Sequence, residues 1–182
     1  MTRGASVGVG SVDIGSVGIG SVGVPGRVIT VSDRVSAGVR EDRSGPLAVE
    51  LLAAHGVAAE LVVVPDGHLS VRAAIVAAVD AGARVVFTTG GTGVGPRDQT
   101  PEATAEVLAL RLDGVAEEIR RVGSAHVATA VLSRGLVGVT GRGARAALVV
   151  NAPGSTGGVR DAVTVVGPLI GHILDQVAGG DH

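Results

Sequence analysis

Lysine, cysteine, tryptophan and tyrosine are all absent from the 182 residues, and phenylalanine occurs once, at Phe87. Each absence closes a class of chemistry. Without cysteine there is no disulfide, no thiolate metal ligand and no cysteine nucleophile, which fits a reducing compartment, and the cytoplasm is the expected location. Without lysine there is no Schiff base and no Walker-type phosphate lysine. Any side-chain cation that clamps a phosphate must therefore be arginine, with its planar two-point geometry. A lone aromatic excludes base stacking along an aromatic platform. The net charge of −2 gives no electrostatic reason to expect nucleic acid. No apolar run approaches the length that spans a bilayer, so a membrane is not expected as a partner either.

Hydrophobic residues make up 46% of the chain and charged residues 18%, the balance of a sequence that folds around a core, and the length suits one domain. Residues 6–25 repeat a five-residue unit: SVGVG, SVDIG, SVGIG, SVGVP. So much glycine makes that segment costly to order, at roughly 1–2 kcal/mol per residue or more. Residues 1–25 read as a flexible N-terminal extension, with an extra edge strand as the other reading. The folded domain is placed at 26–178.

From residue 27 strand and helix signals alternate. The runs 28–31, 61–64 and 84–88 read as strands. Segments 45–55, 69–81, 101–110, 115–122, 158–166 and 169–177 read as helices, with Ser44 as a cap and Gly56 and Gly82 as terminators. Segments 135–140 and 146–151 read as a hairpin. This alternation predicts an α/β fold with a mostly parallel sheet covered on both faces, and a ligand site beyond the carboxyl ends of the strands.

Two glycine patterns are false leads. Residues 18–23 fit the dinucleotide fingerprint but lie within the repeat, and 141–146 fit its relaxed form but precede a strand rather than a helix. The histidines, at 55, 68, 126, 172 and 182, show no metal-ligand spacing. The informative segment is 88–104, TTGGTGVGPRDQTPEAT. Glycines between a strand and a helix let backbone N–H groups approach an anion without Cβ atoms in the way. Thr100-Pro101-Glu102 reads as a helix start, with Thr100 as N-cap. Three strand ends bring Asp33, Asp66 and the 89–98 loop to one rim. Simpler readings stand beside these. Asp66 is also a turn former, Asp33-Arg34 and Arg97-Asp98 are also surface ion pairs, and Ser133 and Ser155 also suit a strand end and a turn.

With those residues in view, the chain resembles the MogA/MoaB family of molybdenum-cofactor biosynthesis proteins, to which the G domain of gephyrin is similar. The matching segments are VSDRVSAGVREDRSGP at 31–46, VPD at 64–66, the 88–104 run, LSRG at 132–135 and NAPGSTGG at 151–158. The resemblance implies a three-layer α/β/α molybdopterin-binding fold, a homotrimer or higher oligomer, and transfer of AMP from ATP to the terminal phosphate of molybdopterin with release of pyrophosphate. MoaB-type members share the signature, so pterin binding with little or no transfer is the alternative it leaves open. The molybdenum insertion enzyme of the pathway is an implied partner. The family's two critical acids fall on Asp66 and Asp98, which the resemblance implies as catalytic residues and as holders of Mg²⁺. The expected substrate-binding set is Asp33, Thr89, Gly90, Gly91, Thr92, Gly93, Arg97, Ser133, Pro153, Gly154 and Ser155. One departure is visible: Thr156 stands where members often carry proline, which frees φ at that turn.

Overall fold

The computed structural model describes residues 23–180. The greater part of the N-terminal extension, residues 1–22, lies outside the described residues, as do residues 181–182. The sheet has six strands in the order β2 (Val57–Val64), β1 (Val24–Val31), β3 (Val85–Thr89), β6 (Leu148–Ala152), β5 (Val137–Val139) and β4 (Leu110–Arg111). β2, β1, β3 and β6 run parallel, and β5 is antiparallel to both its neighbours. Parallel neighbours require helical crossovers. These are supplied by α2 (Ser44–Ala53), α3 (His68–Asp80), α4 (Thr100–Ala105) and α5 (Asp113–Ser124). A single turn, α1 (Asp33–Ser36), follows β1, while α6 (Thr156–Val166) and α7 (Ile170–Ala178) close the chain.

The two-residue period of the strands sorts their side chains into two cores. Val28, Phe87, Leu148 and Val150 point to one face, where Leu52, Ile119, Val163 and Ile170 cover them. Ile29, Val86 and Val149 point to the other, against Val71, Ile75 and Ala103. The result is three layers, α/β/α, as expected. Strands buried on both sides read as continuous valine-rich runs rather than alternating ones. Phe87 is fully buried at the centre.

Several boundaries differ from the expectation, each for a local reason. β1 begins at Val24, two residues inside the stretch 1–25 assigned to the extension. Val24 N–H donates to Gly56 O at 2.8 Å and Pro25 O accepts from Arg84 N–H at 2.8 Å, so neighbouring segments supply the pairing that proline and glycine disguise. The helix expected over 101–110 stops at Ala105. Beyond it Ala109 N–H and Leu112 N–H donate to the carbonyls of Val139 and Val137, at 2.9 and 2.8 Å, and make an edge strand instead. Thr100 is the first helical residue of α4 rather than its N-cap. Its buried hydroxyl donates to Gly90 O at 3.0 Å. Ser44 likewise begins α2, and the capping oxygen comes from Asp42, which accepts from Gly45 N–H at 2.9 Å.

Candidate functional site

Because β1, β2, β3 and β6 are parallel, their carboxyl ends share one edge of the sheet. A cavity of about 1100 Å³ opens there, large enough to take more than one small-molecule substrate. One wall is the loop after β3. Gly90 (φ 109°) and Gly91 (φ 62°) take left-handed backbone conformations that disfavour other residues. A Cβ on Gly90 would run into the carbonyl of Val31, and one on Gly91 into the Thr100 hydroxyl. Loop and helix are tied together by Thr100 N–H donating to Gly91 O at 3.1 Å. The turn after β6 lies alongside: Gly90 N–H donates to Ala152 O at 3.0 Å, and the Thr89 hydroxyl to Pro153 O at 3.0 Å.

The cavity wall brings together most of the expected set. Thr89, Gly90, Gly91, Thr92, Gly93, Asp98, Ser133, Pro153, Gly154 and Ser155 all line it. Asp98 curls over the loop, with Oδ2 accepting from Gly95 N–H at 2.8 Å; its other oxygen takes no donor from the described residues. The Thr89 and Thr92 hydroxyls are buried, and the Ser133 hydroxyl donates to Thr92 Oγ1 at 3.4 Å. Ser155 is the N-cap of α6, accepting from Gly158 N–H at 3.0 Å. Its position in the cavity and its capping bond coexist.

Asp33, Asp66 and Arg97 stand apart from that wall. They form a reciprocal cluster on the outer side of the rim. Asp66 Oδ2 accepts from Asp33 N–H at 2.8 Å, and Asp33 Oδ1 accepts from Asp66 N–H at 3.1 Å. Arg97 completes it, with Nε 2.8 Å from Asp33 Oδ2 and Nη2 donating to the Asp66 carbonyl at 2.6 Å. Each aspartate therefore caps the other's loop, and Arg97 is engaged by carboxylate and carbonyl instead of facing the cavity.

Sequence reading passed over the far end of the cavity, lined by Arg40 and Asp42 from the α1–α2 connection, Arg120 and His126 from α5 and its exit, and Arg160 and Asp161 from α6. The helical ones look like ordinary surface positions, and Arg40 and Asp42 like loop charges. Asp42 is anchored by the Thr30 hydroxyl at 2.6 Å and the Ser44 hydroxyl at 3.2 Å. Also missed was Arg134, next to Ser133, which ion-pairs with Glu102 of α4. The hydrogen bond from that guanidinium holds the Glu102 carboxyl below its ordinary pKa.

Residues 27–172 match the family described as a probable molybdopterin binding domain. The chain belongs to that family. Among relatives of this molybdopterin-binding-domain family, a molybdenum cofactor biosynthesis bifunctional protein of Synechococcus elongatus is 39% identical over 156 residues, covering 85% of this chain and 48% of its own. The chain spans about half the length of that relative and of a second bifunctional one (48% and 49%). A molybdopterin adenylyltransferase of Pyrococcus furiosus is 37% identical over 81% of this chain and 87% of its own. The molybdopterin biosynthesis Mog protein of Mycobacterium ulcerans superposes with a TM-score of 0.79 at 42% identity, covering 87% of this chain and 99% of that one. The glycine loop, the Ser133 segment and the 153–155 turn converge on one cavity from three separate places in the chain.

Proposed function

We propose that this domain acts in molybdenum cofactor biosynthesis by transferring AMP from ATP to the terminal phosphate of molybdopterin, releasing pyrophosphate. The observation that carries the reading is the position of Asp98: a carboxylate with one uncommitted oxygen on the wall of a glycine-loop cavity. The similarity to a relative named molybdopterin adenylyltransferase supports it.

The reaction joins a phosphate oxygen to the α-phosphorus of ATP while the bond from that phosphorus to the bridging oxygen of pyrophosphate breaks. The nucleophile is already ionised at neutral pH, so no general base is required. That suits a cavity with neither lysine nor cysteine. The protein's tasks are to hold two polyanions in line and to spread their charge. Backbone N–H groups of residues 91–93 and the amino end of α6, capped by Ser155, are the neutral donors for phosphate oxygens; the Gly90 N–H is taken by Ala152 O. Arg40, Arg120 and Arg160, which also line the cavity, supply positive charge. Mg²⁺ takes one or two carboxylates and completes its shell with phosphate oxygens and water. Among the described residues no group of three His, Asp or Glu side chains forms a closed metal cluster, and Asp98 fits this sparser requirement. Asp98 would hold the ion, which when bound neutralises phosphate charge; Asp66, bonded to Asp33 off the cavity wall, would not reach it as the loop stands.

Incubation with molybdopterin, MgCl₂ and α-labelled ATP is expected to yield labelled adenylyl-molybdopterin and pyrophosphate in equal amounts. Saturable pterin binding without labelled product would replace this reading with that of a pterin carrier. A homotrimer in the cytoplasm accompanies the proposal. Light scattering on the purified chain measures the first; a monomeric mass would overturn it.

A further inference from the structure

We propose that Arg134 is a positioning residue, fixing the Asp98 carboxylate by clamping the backbone of the loop that carries it; its catalytic consequence rests on the adenylyl-transfer reading above. Arg134 does not line the cavity, whereas Gly93 and Asp98 do. The guanidinium nevertheless reaches both from behind: Nε donates to Gly93 O at 2.8 Å and Nη2 to Asp98 O at 2.6 Å. The remaining nitrogen, Nη1, bonds the Glu102 carboxylate in the first turn of α4. Its own backbone N–H donates to Thr92 O at 2.9 Å. One side chain thus ties the start of the loop, its end and the helix that follows.

Apart from Arg134, the side chain that anchors the loop is Arg97, which bonds the Asp33 carboxylate and the Asp66 carbonyl. From Gly93 to Asp98 the loop contains two glycines, Gly93 and Gly95, with Val94 exposed, and its internal bonds are those between Gly95 and Asp98. Glycine-rich backbone is entropically expensive to fix, and catalysis by alignment is sensitive to misplacements of about 1 Å. Arginine's rigid fork satisfies several acceptors at once, whereas lysine offers a single flexible point charge. The Glu102 carboxylate orients the fork from the far side.

Arg134→Gln and Arg134→Lys test this through melting temperature, hydrogen–deuterium exchange of amides 90–99, and steady-state transfer. Melting temperatures are expected to stay within a few degrees. Exchange over 90–99 should rise about 10-fold or more, the scale of a lost charged hydrogen bond, while strands β1, β3 and β6 keep their protection. In Arg134→Gln kcat should fall about 100-fold with the KM for molybdopterin changed less than about 3-fold, and Arg134→Lys should recover only part of the loss. Unchanged exchange over 90–99 overturns the proposal, as does a loss confined to KM. If the wild type transfers no AMP, the transfer reading fails, and the exchange result alone then decides whether Arg134 holds the loop. Should Arg134→Gln not fold, Glu102→Gln keeps the guanidinium but removes one anchor; a smaller rise in exchange at the same amides supports the clamp, and none overturns it.

Discussion

Replacing Asn151 with alanine probes the polar centre on which the site is mounted. The side chain is 2% exposed and sits in β6, one residue before the strand ends. Its Nδ2 donates to Thr88 Oγ1 at 3.0 Å and to Thr104 Oγ1 at 2.9 Å, and its Oδ1 accepts from Leu136 N–H at 3.1 Å. It therefore joins β6 to β3, to α4 and to the entrance of β5, and among the described residues no buried side-chain polar atom lacks a partner. Each such bond contributes about 1 kcal/mol, and a buried donor stripped of its acceptor costs about 1–3 kcal/mol. Alanine abolishes all of these bonds, strands the Leu136 N–H and leaves a void, so the expected loss is about 3–4 kcal/mol. That is a large fraction of a typical domain's stability of roughly 5–15 kcal/mol. Urea unfolding followed by circular dichroism should show a lower midpoint with an unchanged slope, and the melting temperature should fall about 10 °C. Thr104→Val, which removes a single partner, should cost only about 1 kcal/mol. A loss below about 1 kcal/mol for Asn151→Ala would refute the reasoning, because it would mean that water or a neighbour replaces the amide at no cost.

Other perturbations have equally definite outcomes. Asp98→Asn should keep molybdopterin affinity within a few-fold and abolish AMP transfer; parallel loss of binding, read by calorimetry, would remove Asp98 from the chemical step. Gly90→Ala forces a Cβ against the Val31 carbonyl at a φ of 109° and should destabilise by about 1–3 kcal/mol or more, so a melting temperature equal to wild type would contradict the observed loop. Asp66→Ala breaks one half of the reciprocal pair with Asp33 and should raise exchange at the Asp33 amide, whereas unchanged exchange there would show that the pair does not form in solution. The Glu102 carboxyl titrates below its ordinary value of 4.5 because of Arg134. Its contribution is complete above that pH and lost as pH falls through the lowered value. The half-exposed pair makes the effect small, and the gap in urea midpoint between wild type and Glu102→Gln should close below pH 4.5. A gap constant from pH 7 to 3 would refute it.

Much of the fold was legible because buried parallel strands announce themselves as valine runs and because Gly56 and Gly82 terminate helices where left-handed backbone is required. What escaped was decided by tertiary partners. Leu110–Arg111 has helical neighbours in sequence and became strand only because Val137 and Val139 offer free carbonyls and amides across the gap. Thr100 has the composition of an N-cap, yet the Gly90 carbonyl, ten residues away in sequence, competes for its hydroxyl. The site divides in the same way. The glycine loop and Asp98 were readable from one contiguous run, as were the LSRG and PGS segments. Asp33, Asp66 and Arg97 reached the expected rim but bonded one another, and local sequence carries no record of that mutual capture. Arg40, Arg120 and Arg160 line one cavity only when the α1–α2 connection, α5 and α6 are folded over one sheet edge.

The close approach of the two turns has a mechanical meaning. A Cβ on Gly154 would lie only 3.2 Å from the Gly90 Cα, so the turn after β6 rests directly on the loop after β3 with no side chain between them. Packed backbone has no rotamer with which to absorb a displacement. When a ligand pushes one turn, the other must travel with it. Two adjacent turns of the cavity wall, built from strands that are 63 residues apart in register, therefore respond as one rigid jaw.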